Sequence, residues 1–193
     1  MARRMVITVL VLAILGAGSV AIVRAAEPAW WIRLWYPLRY EQVVSGNAKL
    51  YHLDPALVAA VIYQESRFDP SARSEAGAVG LMQLLPDTAR GIAVHTGGAK
   101  FDPATDLLNP DLNVRYGCWY LQHLQKKYGK YRNGDELALA AYNAGQANVD
   151  EWIAGTAPGE DVRIRFAETR HYVDEVKRLE ERYQKAYASE LEI

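Results

Sequence analysis

The chain contains 193 residues, half of them hydrophobic, and carries a formal net charge of −1. That length is enough for one domain with a proper core and too short for two large ones. No basic stripe runs along the sequence, which argues against nucleic acid as a partner. The single cysteine, Cys118, excludes an intramolecular disulfide.

The N-terminus has the pattern of a membrane signal. Arg3 and Arg4 are followed by an uncharged stretch from Met5 to Val23. As a helix, residues 6–23 would be about 27 Å long, close to the thickness of the hydrocarbon layer of a bilayer. A cleaved signal peptide usually has a shorter apolar region. We therefore favour an uncleaved signal-anchor within residues 1–26, with residues 6–23 in the membrane.

The flanks of this stretch predict where the rest of the chain lies. Arginines on its N-terminal side predict a body outside the cytoplasm, anchored to the cell membrane. The alternative is a signal cleaved before Ala26, a site that Val23 and Ala25 would permit but that Arg24 makes poor. Cleavage would yield a secreted protein instead.

Helix signals dominate the remaining sequence, and no sustained apolar/polar alternation typical of strands is present. Asp54 and Asn109 each precede a proline as helix caps, and Gly129 and Gly145 are helix stops. Helices are predicted within residues 36–53, 53–66, 84–98, 109–129, 134–145 and 168–193. The sum is an all-α domain over about residues 36–188, a normal size for one domain. We expect it to be a monomer.

Neither the cysteine nor the histidines indicate a metal or a reactive thiol. Cys118 lies on the apolar stripe of its helix, where a free cysteine packs as a small hydrophobe. The four histidines show no spacing typical of metal ligands. No phosphate-binding glycine motif is present either. We therefore expect neither a metal nor a cofactor.

Glu65 is unusual because it follows an apolar run, LVAAVIY. In a helix that begins at Pro55, Glu65 lies one turn after Ile62, on the same apolar face and near the negative end of the helix dipole. Desolvation and the dipole both disfavour the ionised form, so a raised pKa is expected, as a general acid requires. The alternative is a carboxylate that reaches water or pairs with Arg67 or Arg73.

The segment GAVGLMQ that follows favours the first interpretation. Gly77 and Gly80 would let the backbone come close to a ligand or a neighbouring helix. Met82 could line a groove, and Gln83 could exchange hydrogen bonds with a sugar amide or hydroxyl. Taken alone the pattern is weak, because glycine-rich loops are often plain turns.

Several motifs together resemble those of bacterial lytic transglycosylases of the soluble-transglycosylase (SLT) type. They are ESRFDPSARSEAGAVGLMQLLPDTA, AAYNAG and ETRHYV, in this order and spacing, with YPLRY and DPALVAAVIYQES before them. The resemblance covers about residues 36–185. It implies a lysozyme-like helical fold and an enzyme that cleaves peptidoglycan glycan strands between N-acetylmuramic acid and N-acetylglucosamine.

The resemblance also implies roles for individual residues. Glu65 matches the catalytic glutamate of the family. The positions that match its substrate-binding residues are Ser66, Met82, Gln83, Tyr142, Asn143 and Tyr172. By this analogy, Ser66 and Tyr142 could orient the acid or the acetamido group of the sugar, and Tyr172 could donate to Glu65 or pack over it. Periodicity alone would equally allow Tyr172 to be a core residue of the last helix.

The sequence departs from the family pattern at two places. Gln146 and Ala147 follow AYNAG, where a proline or glycine is frequent, and Glu75 stands where small, proline or basic residues are common. Glu75 matters because a hydrolytic, goose-type lysozyme on the same fold would want a second carboxylate. Asp69, Glu75 and Asp87 are the candidates. A non-catalytic peptidoglycan-binding protein is the other alternative, which the intact Glu65–Ser66 pair disfavours.

Overall fold

The computed structural model describes Gly18, residues 23–97 and residues 100–193. The chain divides into two compact units, residues 1–37 and 38–193. In the first unit, helix α1 spans Ala29–Trp35 and buries Ile32, while Trp30, Leu34 and Trp35 are exposed. Apart from Gly18 and Val23, the predicted anchor at residues 6–23 lies outside the described residues. No helix in the described part of the chain is long and apolar enough to cross a bilayer.

The second unit is built from helices. They are α2 (Glu41–Leu50), α3 (Pro55–Ser66), α4 (Pro86–Thr96), α5 (Pro103–Asp106), α6 (Pro110–Tyr128), α7 (Gly134–Ala144), α8 (Gln146–Trp152) and α9 (Ala167–Tyr187). Over the described residues, extended pairing is limited to two isolated bridges at Val79, with Arg73 and with Leu84. The prediction of an all-α fold is therefore confirmed for this part of the chain.

Local sequence signals explain where the long helices begin. Asp54 Oδ1 accepts a hydrogen bond of 2.7 Å from the Ala56 N–H, and Asn109 Oδ1 accepts one of 3.1 Å from the Leu112 N–H. A proline occupies the first helical position in α3 and α6, where its missing N–H costs nothing. Both predicted caps are confirmed. The short helices α1, α5 and α8 were not predicted, because seven residues or fewer carry too little periodicity.

Helix α3 is the centre of the core. Every residue from Ala56 to Ile62 is buried, so this helix is apolar on all sides and not on one stripe only. It packs mainly against α9 and also against α2, while α7 packs against α6, α8 and α9. The apolar faces of α6 and α9 are buried, and burial raises the pKa of the Cys118 thiol, consistent with an inert cysteine. The end of α3 thus brings Glu65 to the edge of a dry core.

Candidate active site

Glu65 lies in the last turn of α3, partly buried, with its carboxyl directed at α9. The Tyr172 hydroxyl donates a hydrogen bond of 2.6 Å to Glu65 Oε1. Burial raises the pKa of Glu65 from 4.5 to about 7, and the hydrogen bond from Tyr172 opposes that rise. The alternative of an ion pair with Arg67 or Arg73 finds no support, since burial and Tyr172 account for the altered pKa. Glu65 can therefore both give and take a proton near neutral pH.

The backbone after Glu65 is strained in a way that fixes the end of α3. Arg67 and Phe68 both adopt left-handed conformations, with φ of 50° and 63°, which non-glycine residues rarely occupy. Phe68 is nonetheless fully buried and packs edge-on against Tyr183 at 6.3 Å between ring centroids. Strain of this kind persists only where packing imposes it, and it is frequent at functional sites.

Tyr142, near the end of α7, is the second tyrosine beside Glu65. Its hydroxyl donates a hydrogen bond of 2.7 Å to the Met82 carbonyl. Burial, and then the proximity of the Glu65 carboxylate, raise the pKa of Tyr142 well above its ordinary value. The same two causes act in that order on Tyr172, and Tyr142 contributes there as well. The two tyrosines therefore remain neutral and enclose the carboxyl from two different helices.

The turn at residues 79–84 carries the GLMQ stretch and is held very closely. Gly80 has a φ of +85°, and a Cβ at that position would overlap Asn113 Nδ2. A Cβ at Gly117 would overlap Met82 Sδ. The glycine at position 80 is thus required for its conformation and for a close approach to α6, as the sequence had indicated. Gly117 is required for the close approach alone.

Two side chains of this turn lie differently from the expectation. The Met82 side chain is fully buried, so it packs in the core and does not line an open groove. The Gln83 amide donates to two backbone carbonyls, at 3.1 Å to Ala72 and 2.9 Å to Gly80, and so braces its own loop. Gln83 also has a left-handed φ of 46°. The chemistry of methionine and glutamine suggested contacts with a ligand, but the packing of the turn decides where the two side chains point.

The remaining predicted site residues lie beside this cluster. Ser66 Oγ donates to the Leu81 carbonyl at 2.8 Å and is 3.1 Å from the Ile62 carbonyl. Asn143 is exposed at the end of α7. The fold thus brings Glu65, Ser66, Tyr142 and Tyr172 together around the turn.

Sequence reasoning missed two residues of this region. Asn113 of α6 is fully buried and hydrogen-bonded to the turn. Tyr120, also on α6, packs against Tyr142 with ring centroids 5.6 Å apart. A polar residue in the otherwise apolar set that α6 buries was the available signal for Asn113, because a buried amide requires specific partners. No comparable signal existed for Tyr120.

The candidate second carboxylates are all exposed. Asp69 accepts hydrogen bonds from the Ser71 side chain and backbone, which lower its pKa. Asp87 pairs with Arg90, and Glu75 lies on the exposed loop. None of the three contributes to the altered pKa of Glu65. Within residues 23–97 and 100–193, no three histidine, cysteine or acidic side chains are grouped so that they could hold a metal ion.

Known proteins resemble this chain in sequence and in fold. The chain is 32% identical over 146 residues to the soluble lytic murein transglycosylase of Salmonella typhimurium, covering 73% of this chain and 22% of the relative. It is 35% identical over 162 residues to the putative soluble lytic murein transglycosylase of Haemophilus influenzae, covering 81% and 27%. The chain therefore spans only about a quarter of the length of these curated relatives.

A solved structure and a family model agree with these relatives. The structure of an inactive mutant of the lytic transglycosylase Slt from Pseudomonas aeruginosa superposes with a TM-score of 0.69 at 32% identity, covering 82% of this chain and 26% of that one. The family model described as the transglycosylase SLT domain matches residues 42–162, which include Glu65, Tyr142 and the whole turn at 79–84. With the predicted motifs, the helical fold and the matched region in agreement, the chain belongs to the transglycosylase SLT family.

Proposed function

We propose that this chain is a peptidoglycan lytic transglycosylase in which Glu65 is the general acid and base. Its substrate is the glycan strand, cleaved at the β-1,4 bond between N-acetylmuramic acid and N-acetylglucosamine. The observation that carries this proposal is the geometry of Glu65: a partly buried carboxyl at the end of α3 that accepts the Tyr172 hydroxyl at 2.6 Å, with its pKa raised to about 7 by burial and not by a second carboxylate. Such a group is half protonated at neutral pH and can act in both directions.

A single carboxyl is enough when the substrate supplies its own nucleophile. Glu65 donates its proton to the glycosidic oxygen as the C–O bond breaks, and the acetamido group of the muramic acid stabilises the oxocarbenium-like centre. The 6-hydroxyl of the same sugar then attacks the anomeric carbon and returns its proton to Glu65. The product is a 1,6-anhydro sugar. Because this hydroxyl is carried by the same sugar as the anomeric carbon, its effective concentration is high and no activated water is needed.

The neighbours of Glu65 have distinct roles in this proposal. Tyr172 stabilises the ionised carboxylate between the two proton transfers, because its hydroxyl is already 2.6 Å away. Tyr142 and Ser66 form the wall beside the acid and leave oxygen lone pairs that can accept from the sugar acetamide. Asn143, exposed at the end of α7, and Gln83, through the loop that its amide braces, bind the strand.

A hydrolytic, goose-type activity is the competing proposal, and the geometry disfavours it. Hydrolysis needs a second carboxylate that positions a water on the far face of the sugar. Asp69 is committed to Ser71 and Asp87 to Arg90, both at the exposed surface. Glu75 is likewise exposed. All three are exposed, and none of them contributes to the altered pKa of Glu65.

The test is digestion of purified cell walls in heavy-oxygen water, with mass analysis of the products. We expect anhydro ends that carry no label, and Glu65→Gln should remove nearly all activity at an unchanged circular dichroism spectrum. Glu180→Gln is the matched control. The pKa of Glu180 is also raised to about 7, first by burial and then by Asp54 and Asp135, but neither Glu180 nor Glu65 contributes to the altered pKa of the other.

Two results would contradict the proposal. Early products that are mainly labelled reducing sugars would make the enzyme a hydrolase. A Glu65→Gln variant that keeps more than about a tenth of the wild-type rate, a difference of less than about 1.4 kcal/mol in activation free energy, would exclude Glu65 as the acid.

We further propose that the protein is a monomer that acts outside the cytoplasm, held to the cell membrane by residues 6–23. Helix α1 supports this location, since Trp30, Leu34 and Trp35 are exposed by 59%, 65% and 56%. Tryptophan is favoured at the membrane–water interface, where its ring is partly apolar and its N–H stays wet. Cell fractionation should find the intact chain in the membrane. A soluble form that begins near Ala26 would mean that the segment is a cleaved signal.

A further inference from the structure

Asn113 is a fully buried polar residue of α6 whose hydrogen bonds all go to the backbone of other segments. Its Oδ1 accepts from the Met82 N–H at 2.7 Å. Its Nδ2 donates to the Val79 carbonyl at 2.9 Å and to the Leu107 carbonyl at 3.0 Å. Both amide protons and one oxygen lone pair are therefore used, and none of these bonds is needed to build α6 itself.

The bond to Met82 lies on the same peptide unit that Ser66 holds. Ser66 Oγ donates to the Leu81 carbonyl at 2.8 Å, and Asn113 accepts from the N–H at the other side of that unit. Because a peptide unit is planar, fixing both groups fixes its rotation. The next carbonyl along the chain, that of Met82, then has a set direction and accepts the Tyr142 hydroxyl at 2.7 Å.

We propose that Asn113 is a positioning residue for Glu65: through the Met82 peptide units it fixes Tyr142 and so keeps closed the wall that excludes water from the acid. Asn113 touches neither the carboxyl nor the substrate in this proposal. It holds the turn whose Leu81 and Met82 carbonyls accept the hydroxyls of Ser66 and Tyr142, the residues that flank the acid from α3 and α7. This inference rests on the proposed function only where it concerns catalysis; the effect of Asn113 on the surroundings of Glu65 does not depend on that function.

The titratable groups around Glu65 come from two elements. Tyr172 of α9 donates to it, and Tyr142 of α7 lies within its electrostatic reach. Behind Tyr142 are Tyr120 and Cys118 of α6, which also raise the pKa of Tyr142. All four are neutral at pH 7, so the acid is governed mainly by how dry its surroundings are. Loosening Tyr142 should hydrate the carboxyl and lower its pKa.

The matched control is Asn47 of α2, the other asparagine of the described chain that is buried. Its Nδ2 donates to the Val43 carbonyl at 2.9 Å and to Asp111 Oδ1 at 3.1 Å, and neither hydrogen bond goes to the turn. Asn47→Ala therefore removes a buried amide, as Asn113→Ala does, without touching Tyr142. Any effect that comes from general destabilisation should be shared by the two variants.

The experiment measures the titration midpoint of Glu65 directly by carbon-13 NMR of carboxyl-labelled, full-length protein, with the resonance assigned by its loss in Glu65→Gln. We expect the midpoint in Asn113→Ala to fall by about one pH unit, a tenfold rise in the dissociation constant. Asn47→Ala should leave it unchanged. Because this measurement needs no activity, it decides the role of Asn113 even where the wild type fails to release anhydro products from cell walls.

A second variant covers the case in which Asn113→Ala does not fold. Tyr142→Phe breaks the same link at its other end, so its midpoint should shift in the same direction. The double variant should shift no further than Asn113→Ala alone, because both changes open one link. An unchanged midpoint in Asn113→Ala, or in Tyr142→Phe where that is the variant measured, would overturn the proposal. An equal shift in Asn47→Ala would do the same.

Discussion

Replacing Glu65 with glutamine is expected to stabilise the folded protein at neutral and alkaline pH. Folding raises the pKa of this carboxyl from 4.5 to about 7, so the folded chain holds the proton more tightly than the unfolded chain does. Below pH 4.5 both states are protonated and the burial costs little. The stability that the protonated Glu65 carboxyl contributes is therefore present below pH 4.5 and is lost as the pH rises towards 7, because the ionised form is disfavoured in a dry site.

The size of the effect follows from the pKa. Each pH unit between the two values corresponds to about 1.4 kcal/mol, so the full rise amounts to about 3 kcal/mol. This is an upper bound because the side chain is only partly buried. Glutamine has the same shape, stays neutral at every pH and can still accept the Tyr172 hydroxyl through its Oε1. The variant should therefore gain stability above pH 7 and lose that advantage towards pH 4.5.

The assay is urea unfolding of the full-length wild type and Glu65→Gln, followed by circular dichroism at several pH values. Groups other than Glu65 titrate in both proteins, so they cancel in the difference between the two free energies of unfolding. Glu75→Gln, on the exposed loop, is the control and should stay within about 0.5 kcal/mol of wild type at every pH. A difference that is the same at acidic and alkaline pH, or a less stable Glu65→Gln at pH 8, would refute the reasoning.

Other predictions concern the contacts of the acid and of the turn. Tyr172→Phe removes the hydroxyl that favours the ionised Glu65, so the alkaline limb of the kcat/KM profile on peptidoglycan should rise by about one pH unit. An unchanged limb would mean that Tyr172 only packs against the acid. Gly117→Ala forces a Cβ onto the Met82 thioether and should lower the free energy of unfolding by about 1–3 kcal/mol in urea. Gly91→Ala is its control, because a Cβ there meets open space in α4, and it should raise the free energy of unfolding by about 0.5–1 kcal/mol. Equal effects of the two variants would show that the Met82 side chain moves away from the new Cβ at position 117.

The sequence by itself determined the longer helices and the character of the acid. Caps such as Asp54 and Asn109 and glycine stops act over three or four residues, so they can be located without knowing the fold. The raised pKa of Glu65 was predictable for a similar reason. Its position after Ile62 in a buried helix places it at the edge of the core whichever elements cover that helix.

Only the tertiary structure decided which groups surround the acid. Tyr172 lies 107 residues further along the chain, and periodicity allowed it to be a plain core residue. Met82 was expected in the groove, but the missing side chain at Gly117 opens a space in α6 that takes its thioether. Asn113 became significant once its three partners were known. Apolar spacing within a helix fixes which face is buried, but the contacts across that face depend on how other helices pack, and local sequence does not encode them.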